Sequence, residues 1–144
     1  MDCPFCTDPE VKNRTIIEND LAFAFPTITP IVPGHILVCP KRHIQYVEDS
    51  TPEEREAVEE LRHNLKKALK TVFQAEGFNY AWNEEKIGGQ SVPHFHLHIV
   101  PRKAGDVGVY EYEPREFLYR PGPRTIATPN EELNEIVDLI KKAL

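Results

Sequence analysis

The sequence predicts an α+β fold in which helices cover an antiparallel five-stranded sheet. Three observations predict it: a strand pair around an Asn-Asp turn, a long amphipathic helix, and a later strand pair that ends in alternating histidines. Such layers bury one face of a sheet under helices. A length of 144 residues suits one compact domain. We therefore expect a single domain over residues 1–144, with a core in 1–102, an extension in 103–127 and a terminal helix in 128–144.

The first strands precede the long helix. Residues 15–18 and 21–25 flank Asn19-Asp20, a pair typical of a tight hairpin turn. A proline-rich loop over residues 26–33 follows, and the apolar residues 35–39 predict another strand. The N-terminal part of the chain is thus expected to form one hairpin and one further strand.

The long helix has a clear beginning. Thr51 suits the N-cap, Pro52 suits the first turn, and Glu54 completes a capping box. Gly77 is expected to end the helix. Between these two ends, apolar residues recur at helical spacing and predict one buried stripe: Val58, Leu61, Leu65, Leu69, Val72 and Phe73.

The remaining elements follow this helix. Strands are predicted over residues 78–82 and 93–100, with a glycine-containing loop over residues 83–91 between them. Residues 102–127 are rich in Arg, Tyr, Pro and Gly without a clear period, which favours an extended wrap over the domain. Thr128 begins a second capping box, Thr128-Pro129-Asn130-Glu131. The terminal helix carries its apolar residues on one face: Leu133, Ile136, Val137 and Ile140.

Composition argues against several classes of function. The net charge of −6 does not suit a protein that binds a nucleic acid polymer, although a local positive field could still hold a small phosphate ligand. No apolar run approaches the length of about 20 residues that crosses a bilayer. The N-terminus does not resemble a secretory signal, and three cysteines do not form a disulfide framework. We expect a cytoplasmic protein without membrane contact.

Three histidines alternate along the last predicted strand. Side chains alternate between the two faces of a strand, so His94, His96 and His98 are expected to share one face. The residues between them, Phe95, Leu97 and Ile99, are then expected to face the core. A single such histidine is more often structural, whereas three in alternation favour a functional site.

The chemistry of imidazole suits phosphate transfer. Near neutral pH the ring is partly unprotonated and nucleophilic, and it can form a phosphoramidate that is easier to hydrolyse than a pyrophosphate. Just ahead of the histidines, Gly88-Gly89-Gln90-Ser91 predicts a loop that offers backbone amides and a hydroxyl to phosphate oxygens.

At these residues the chain resembles the histidine-triad (HIT) family. Residues 94–100 fit that family's His-φ-His-φ-His-φ-φ signature, where φ is apolar. Residues 33–38 and 40–44 resemble two further family blocks, and Asn83 with residues 89–91 resembles the nucleotide-binding loop.

The resemblance implies a homodimer with a ten-stranded sheet and a nucleotide substrate, either an adenosine or guanosine polyphosphate or a phosphoramidate. It implies that His96 attacks the α-phosphorus, that His98 assists the leaving group and that His35 orients the network. It assigns substrate binding to Asn83, Gly89, Gln90, Ser91 and, at the ribose, Thr27. The family usually has Asp or Asn at position 27, which leaves ribose recognition open. A histidine at position 98, where the nucleotidyltransferase branch has glutamine, favours hydrolysis.

A Cys-x-x-Cys pair opens the chain at Cys3 and Cys6. Alone it is weak evidence, because zinc needs two more ligands. The resemblance supplies them as His43 and His94, which predicts a structural zinc and leaves no metal in the chemistry. Cys39 is expected to be a small buried residue, and His63 to lie on a solvated helix face.

Other functions remain open at this stage. The triad could be a catalytic zinc site, the protein could bind nucleotides with little catalysis, or it could be a transferase or phosphorylase of the same family. Residues 102–127 are expected to line the leaving-group side. Arg115, Arg120 and Arg124 could contact extra phosphates there, although each is more readily a surface arginine.

Overall fold

A computed structural model describes residues 3–106 and 127–144. Its strands are β1 (Ile17–Glu18), β2 (Ala22–Pro26), β3 (Ile36–Pro40), β4 (Gly77–Ala81) and β5 (Leu97–Arg102). Its helices are α1 (Pro4–Thr7), α2 (Pro9–Asn13), α3 (Pro52–Phe73) and α4 (Asn130–Ala143), with single 3₁₀ turns at Val47–Asp49 and Lys86–Gly88.

The strands form one antiparallel sheet in the order β1-β2-β3-β5-β4. This confirms the predicted α+β class with a five-stranded sheet, one long helix and a C-terminal helix. The hairpin at the N-terminus is confirmed too: Asn19 closes the turn, with its side-chain oxygen accepting from the N–H groups of Leu21 and Ala22 at 3.1 and 2.8 Å.

The two faces of the sheet are covered differently. Alternate residues of β2, β3 and β5 pack with α3 and α4 in the main core: Ala22, Ala24, Ile36, Val38, Leu97 and Ile99. The residues between them on β2 and β3 belong to a second cluster, which Val11 and Phe5 of the N-terminal segment complete: Phe23, Phe25, Leu37 and Cys39. The second face therefore lies beneath α1 and α2, which the sequence analysis did not predict.

Several element boundaries differ from prediction. The helix α3 ends at Phe73, and its C-cap is Gln74 in the left-handed conformation (φ 51°). Gly77, which was expected to end the helix, begins β4 instead. Strand β5 begins at Leu97, not at residue 93, because Pro93 has no N–H and Phe95 donates its N–H to Ile44.

The second predicted capping box is not formed. Pro129 is the N-cap of α4, and no side chain caps that helix. Thr128 instead donates its backbone N–H to the carbonyl of Ile28 at 2.6 Å, which ties the start of α4 to the loop after β2. At α3, by contrast, the predicted capping box between Thr51 and Glu54 is present in full.

Most of the predicted wrap, residues 107–126, lies outside the described residues, and Arg115, Arg120 and Arg124 lie there with it. Among the residues that are described, no helix combines the length and the apolar character that a bilayer crossing requires.

Candidate active site and adjoining Cys/His cluster

The ring of His96 is held by a hydrogen bond to a main-chain carbonyl two residues away. Its Nδ1 lies 2.7 Å from the carbonyl oxygen of His94 and donates to it, so Nε2 carries the lone pair. Burial lowers the pKa of His96 to about 4, and the side chain is only 5 % exposed. At neutral pH the ring is therefore uncharged, with Nε2 as its nucleophilic atom.

His98 and His35 form a second pair beside it. Ile31 donates its N–H to His35 Nδ1 at 3.1 Å, so the proton of His35 is on Nε2. That Nε2 lies 2.9 Å from His98 Nδ1 and donates to it. His98 then keeps its own proton on Nε2. The ring of His98 lies 4.9 Å from that of His96, centroid to centroid, on the face away from the main core.

Phe5 of α1 packs against the triad. Its ring lies 5.1 Å from that of His96 and 5.8 Å from that of His94, in edge-on geometry. Phe5 therefore covers part of the His96 ring, which keeps only a small exposed area. Sequence reasoning missed this residue, although its position between two cysteine ligands was a usable signal.

A cluster of four potential metal ligands adjoins the triad. One ligand atom from each of Cys3, Cys6, His43 and His94 lies within 4.8 Å of all the others. His94 Nε2 donates to the carbonyl of Pro40 at 2.8 Å, which leaves Nδ1 free to face the cluster. The structure thus brings together all four predicted ligands, and the group could hold a metal ion.

The residues assigned to substrate binding on the loop 83–91 are used differently from expectation. The N–H groups of Gly88 and Gln90 both donate to the carbonyl of Glu85 at 3.0 Å, and that of Gly89 donates to Lys86. These amides stabilise the loop itself, so they do not form the open set that the sequence analysis predicted.

The side chains of the loop also have partners. Asn83 donates to the carbonyl of Gly89 at 3.5 Å, and Gln90 is buried against Gln45, exchanging two hydrogen bonds at 3.2 and 3.3 Å. Ser91 is exposed, and Gly89 has a φ of 100°, which favours glycine.

Thr27 lies next to His35 at the end of β2. Its N–H donates to the carbonyl of His35 at 3.2 Å, while its hydroxyl accepts from the N–H of Thr29 at 3.3 Å. Thr27 is buried, so its hydroxyl serves the local turn in this structure. Nearby, Arg14 donates to the carbonyl of Pro26 at 3.1 Å and lies over the ring of Phe25.

Two residues expected to be structural have the predicted surroundings. Cys39 is fully buried, and that burial raises the pKa of its thiol well above the usual range. His63 is exposed on α3.

Three alternating histidines at and just before the start of β5, with the rings of His96 and His98 side by side, place this chain in the class of histidine-triad proteins. The HIT domain profile matches residues 8–105, and the chain belongs to the HIT domain family.

Individual relatives agree with this membership. The chain is 32% identical over 131 residues to the bis(5'-adenosyl)-triphosphatase of Dictyostelium discoideum, covering 91% of this chain and 88% of that one. It is 34% identical over 96 residues to the asymmetrical bis(5'-nucleosyl)-tetraphosphatase of Schizosaccharomyces pombe, covering 67% of this chain and 53% of that one.

Solved structures confirm the fold. A zinc-bound histidine triad family protein from Mycobacterium smegmatis superposes with a TM-score of 0.73 at 28% identity. The match covers 99% of this chain and 93% of that one.

Proposed function

We propose that this protein hydrolyses a nucleotide at its α-phosphate through a covalent intermediate on His96. The observation that carries the proposal is the hydrogen bond from His96 Nδ1 to the carbonyl of His94, because it leaves Nε2 unprotonated and nucleophilic. Relatives named as dinucleoside polyphosphate hydrolases support the same class of reaction.

The reaction has two steps. His96 Nε2 forms a bond to the α-phosphorus as the bond to the leaving oxygen breaks, and that oxygen departs as an anion. His98 donates a hydrogen bond from Nε2 to the leaving oxygen, and His35 holds the His98 ring in this tautomer. Water then attacks the phosphorus, the P–N bond breaks with its electron pair returning to Nε2, and one proton passes to solvent.

The tautomers favour a polyphosphate substrate. A departing phosphate needs only a hydrogen bond, whereas a departing amine must be protonated, and His98 is held here as a neutral donor. A dinucleoside polyphosphate is therefore the first candidate and a nucleoside phosphoramidate the second. Ser91 and Asn83 are the candidate phosphate ligands, while Gly89 and Gln90 shape the loop and Thr27 borders the ribose position.

The test compares hydrolysis of diadenosine tetraphosphate and an adenosine phosphoramidate by the parent and by His96→Gly. We expect the parent to hydrolyse at least one of them and the variant to lose about 10³-fold or more, the scale for loss of a covalent nucleophile. His63→Ala, on the exposed face of α3, is the matched control. Activity retained by His96→Gly would refute the assigned role.

The burial of His96 favours a second candidate, a nucleotide-binding protein with little catalysis. Binding of AMP without turnover of either substrate would select it. Turnover that requires added inorganic phosphate would instead indicate a phosphorylase of the same chemistry.

We propose zinc as the metal of the Cys/His cluster. Zn–S and Zn–N bonds of about 2.3 and 2.0 Å in tetrahedral geometry separate S from N by about 3.5 Å and N from N by about 3.3 Å. Here the Sγ–Nδ1 distances are 3.4, 3.5 and 3.6 Å, and the two histidine Nδ1 atoms are 3.3 Å apart. The donor set therefore fits zinc, which would join α1 to residue 94 as a structural cross-link.

Removal of the metal tests this structural role. We expect a strong chelator to release zinc and lower the unfolding temperature, because Cys3 and Cys6 would no longer be joined to the histidines. Hydrolysis should persist at temperatures where circular dichroism still shows a folded chain. Loss of turnover in the folded chelated protein would instead favour the catalytic zinc site.

A further inference from the structure

The loop 83–91 contains a residue in an unusual backbone conformation. Glu85 has a φ of 64° and a ψ of 158°, a region that residues with a Cβ rarely adopt. Such a conformation is strained and persists only where the surroundings impose it. The carbonyl of Glu85 accepts from the N–H groups of both Gly88 and Gln90, so this conformation sets the path of the whole turn.

Two consecutive side chains tie this turn to the rest of the molecule. The hydroxyl of Tyr46 donates a short hydrogen bond to the Glu85 carboxylate. The neighbouring Gln45 donates its side-chain amide to Gln90 and accepts from Gln90 at its carbonyl. Residues 45–46 therefore contact the loop at both ends of its turn.

Tyr46 is suited to act as a donor throughout the neutral range. The hydrogen bond to Glu85, with the negative charges of Glu85, Glu84 and Glu48, raises the pKa of its hydroxyl. The segment before it is itself fixed, because Ile44 accepts from the N–H of Phe95, the residue between the first two triad histidines.

We propose that Tyr46 is a positioning residue for substrate binding, holding the loop 83–91 in register with the triad through Glu85. The proposal rests on the proposed function, since it takes Ser91 and Asn83 to be phosphate ligands. Tyr46 acts through the loop, and neither its ring nor its hydroxyl contacts the nucleotide.

The experiment measures AMP affinity by calorimetry and kcat and KM for diadenosine tetraphosphate, with unfolding temperature as the structural readout. Tyr46→Phe removes only the hydroxyl, Glu85→Gly removes the carboxylate at a φ that glycine tolerates, and Glu85→Gln keeps an acceptor. Thr71→Val is the control for loss of a hydroxyl, since that hydroxyl bonds to the Lys67 carbonyl on α3, and Glu84→Gln is the control for Glu85.

We expect Tyr46→Phe and Glu85→Gly each to weaken AMP binding about three- to tenfold, the range for loss of one hydrogen bond. KM should rise more than kcat falls, the unfolding temperature should stay within about 2 °C, and the double variant should be no weaker than either single one. Glu85→Gln should bind within about twofold of the parent and the controls should match it.

Parent-like AMP binding by Tyr46→Phe would overturn the proposal, and so would additive losses in the double variant. A lower unfolding temperature with unchanged AMP affinity would show a structural role and overturn it as well. If the parent itself neither binds AMP nor hydrolyses either substrate, the proposed function fails first and this inference fails with it.

Discussion

His96 keeps its proton on Nδ1, which donates to the carbonyl of His94, and the other histidines of the site are held by similar hydrogen bonds. His94 donates to Pro40, and His35 accepts from Ile31 and donates to His98. Backbone groups thus decide which nitrogen of His94, His96 and His35 carries the proton, and His35 in turn decides it for His98. Because a main-chain group has no rotamer to change, these tautomers are fixed by the fold itself.

Replacement of His98 tests this arrangement at the residue scale. His98→Asn removes the Nε2 donor that we propose for the leaving oxygen, and we expect kcat to fall about 10²- to 10³-fold, as for loss of an oxyanion donor. AMP binding should change far less, because the donor acts on charge that develops in the transition state. The matched control is His63→Asn, and a kcat within twofold of the parent in His98→Asn would contradict the role.

The sequence predicted part of this residue-scale picture. Alternation predicted that the three histidines share a face away from Leu97 and Ile99, and the structure places these two residues in the main core. For the contact of Phe5 with His96, the position of Phe5 between two cysteines was the one signal in the sequence, and the bonding of Gln45 to Gln90 had none. Contacts between residues so far apart in the chain leave no periodic pattern in a single sequence.

At the scale of elements, the N-terminus of α3 is the clearest case. Thr51 and Glu54 exchange the two hydrogen bonds of the capping box, at 2.9 and 3.1 Å. Arg42 adds two more to the buried Glu54 carboxylate, at 2.7 and 3.1 Å. The sequence predicted the capping box, but it did not predict the contact of Arg42 with Glu54, because Arg42 lies on a separate segment. The helix cap thereby fixes the segment that carries His43.

The ion pair between Glu54 and Arg42 predicts that the stability of the fold depends on pH. The hydrogen bond from Arg42 holds the pKa of Glu54 below its ordinary value of 4.5. Ionised Glu54 therefore stabilises the folded state above that ordinary value, and its contribution is lost as pH falls through the lower folded pKa. We expect Glu54→Gln to reduce the free energy of unfolding by about 1–3 kcal/mol at pH 7.

Urea denaturation from pH 7 to pH 3 measures this difference. The gap between the parent and Glu54→Gln should narrow below pH 4.5 as the parent carboxylate is protonated. Glu53→Gln, at the exposed neighbouring position, should show no such gap. A gap that stays constant across the range would contradict the assignment.

The boundaries of elements were harder to predict than their existence. Gly77 resembled a helix stop, yet it begins β4 opposite Arg102, and the left-handed Gln74 ends the helix instead. The strand pairing of residues 77–81 decided this position, and such pairing depends on a partner strand about 25 residues away in sequence.

For the whole molecule, the β4 end of the sheet has the largest consequence. Strand β4 ends the sheet order, and exposed aromatic side chains lie on or next to it: Tyr80, 38% exposed, and Trp82, 47% exposed. Unpaired edge strands readily pair with another chain. We propose that two copies meet at β4 and form the ten-stranded sheet of a homodimer.

Light scattering after size exclusion tests the homodimer. We expect the parent to have the mass of two chains, and Trp82→Lys to have the mass of one, because a charged side chain at an edge opposes pairing. Leu139→Lys, 44% exposed on α4, is the matched control and should remain dimeric. A monomeric parent would refute the proposed assembly.

The ring of His94 belongs to the Cys/His cluster, whereas its carbonyl oxygen accepts the hydrogen bond from His96. The ring depends on the side chain, whereas every amino acid brings the same carbonyl. Substitution of His94, Cys3 and Cys6 would therefore keep the carbonyl acceptor that orients His96, provided that other packing held this peptide in place. The Cys/His cluster and the orientation of His96 are thus free to diverge separately during evolution, even though His94 and His96 are two residues apart.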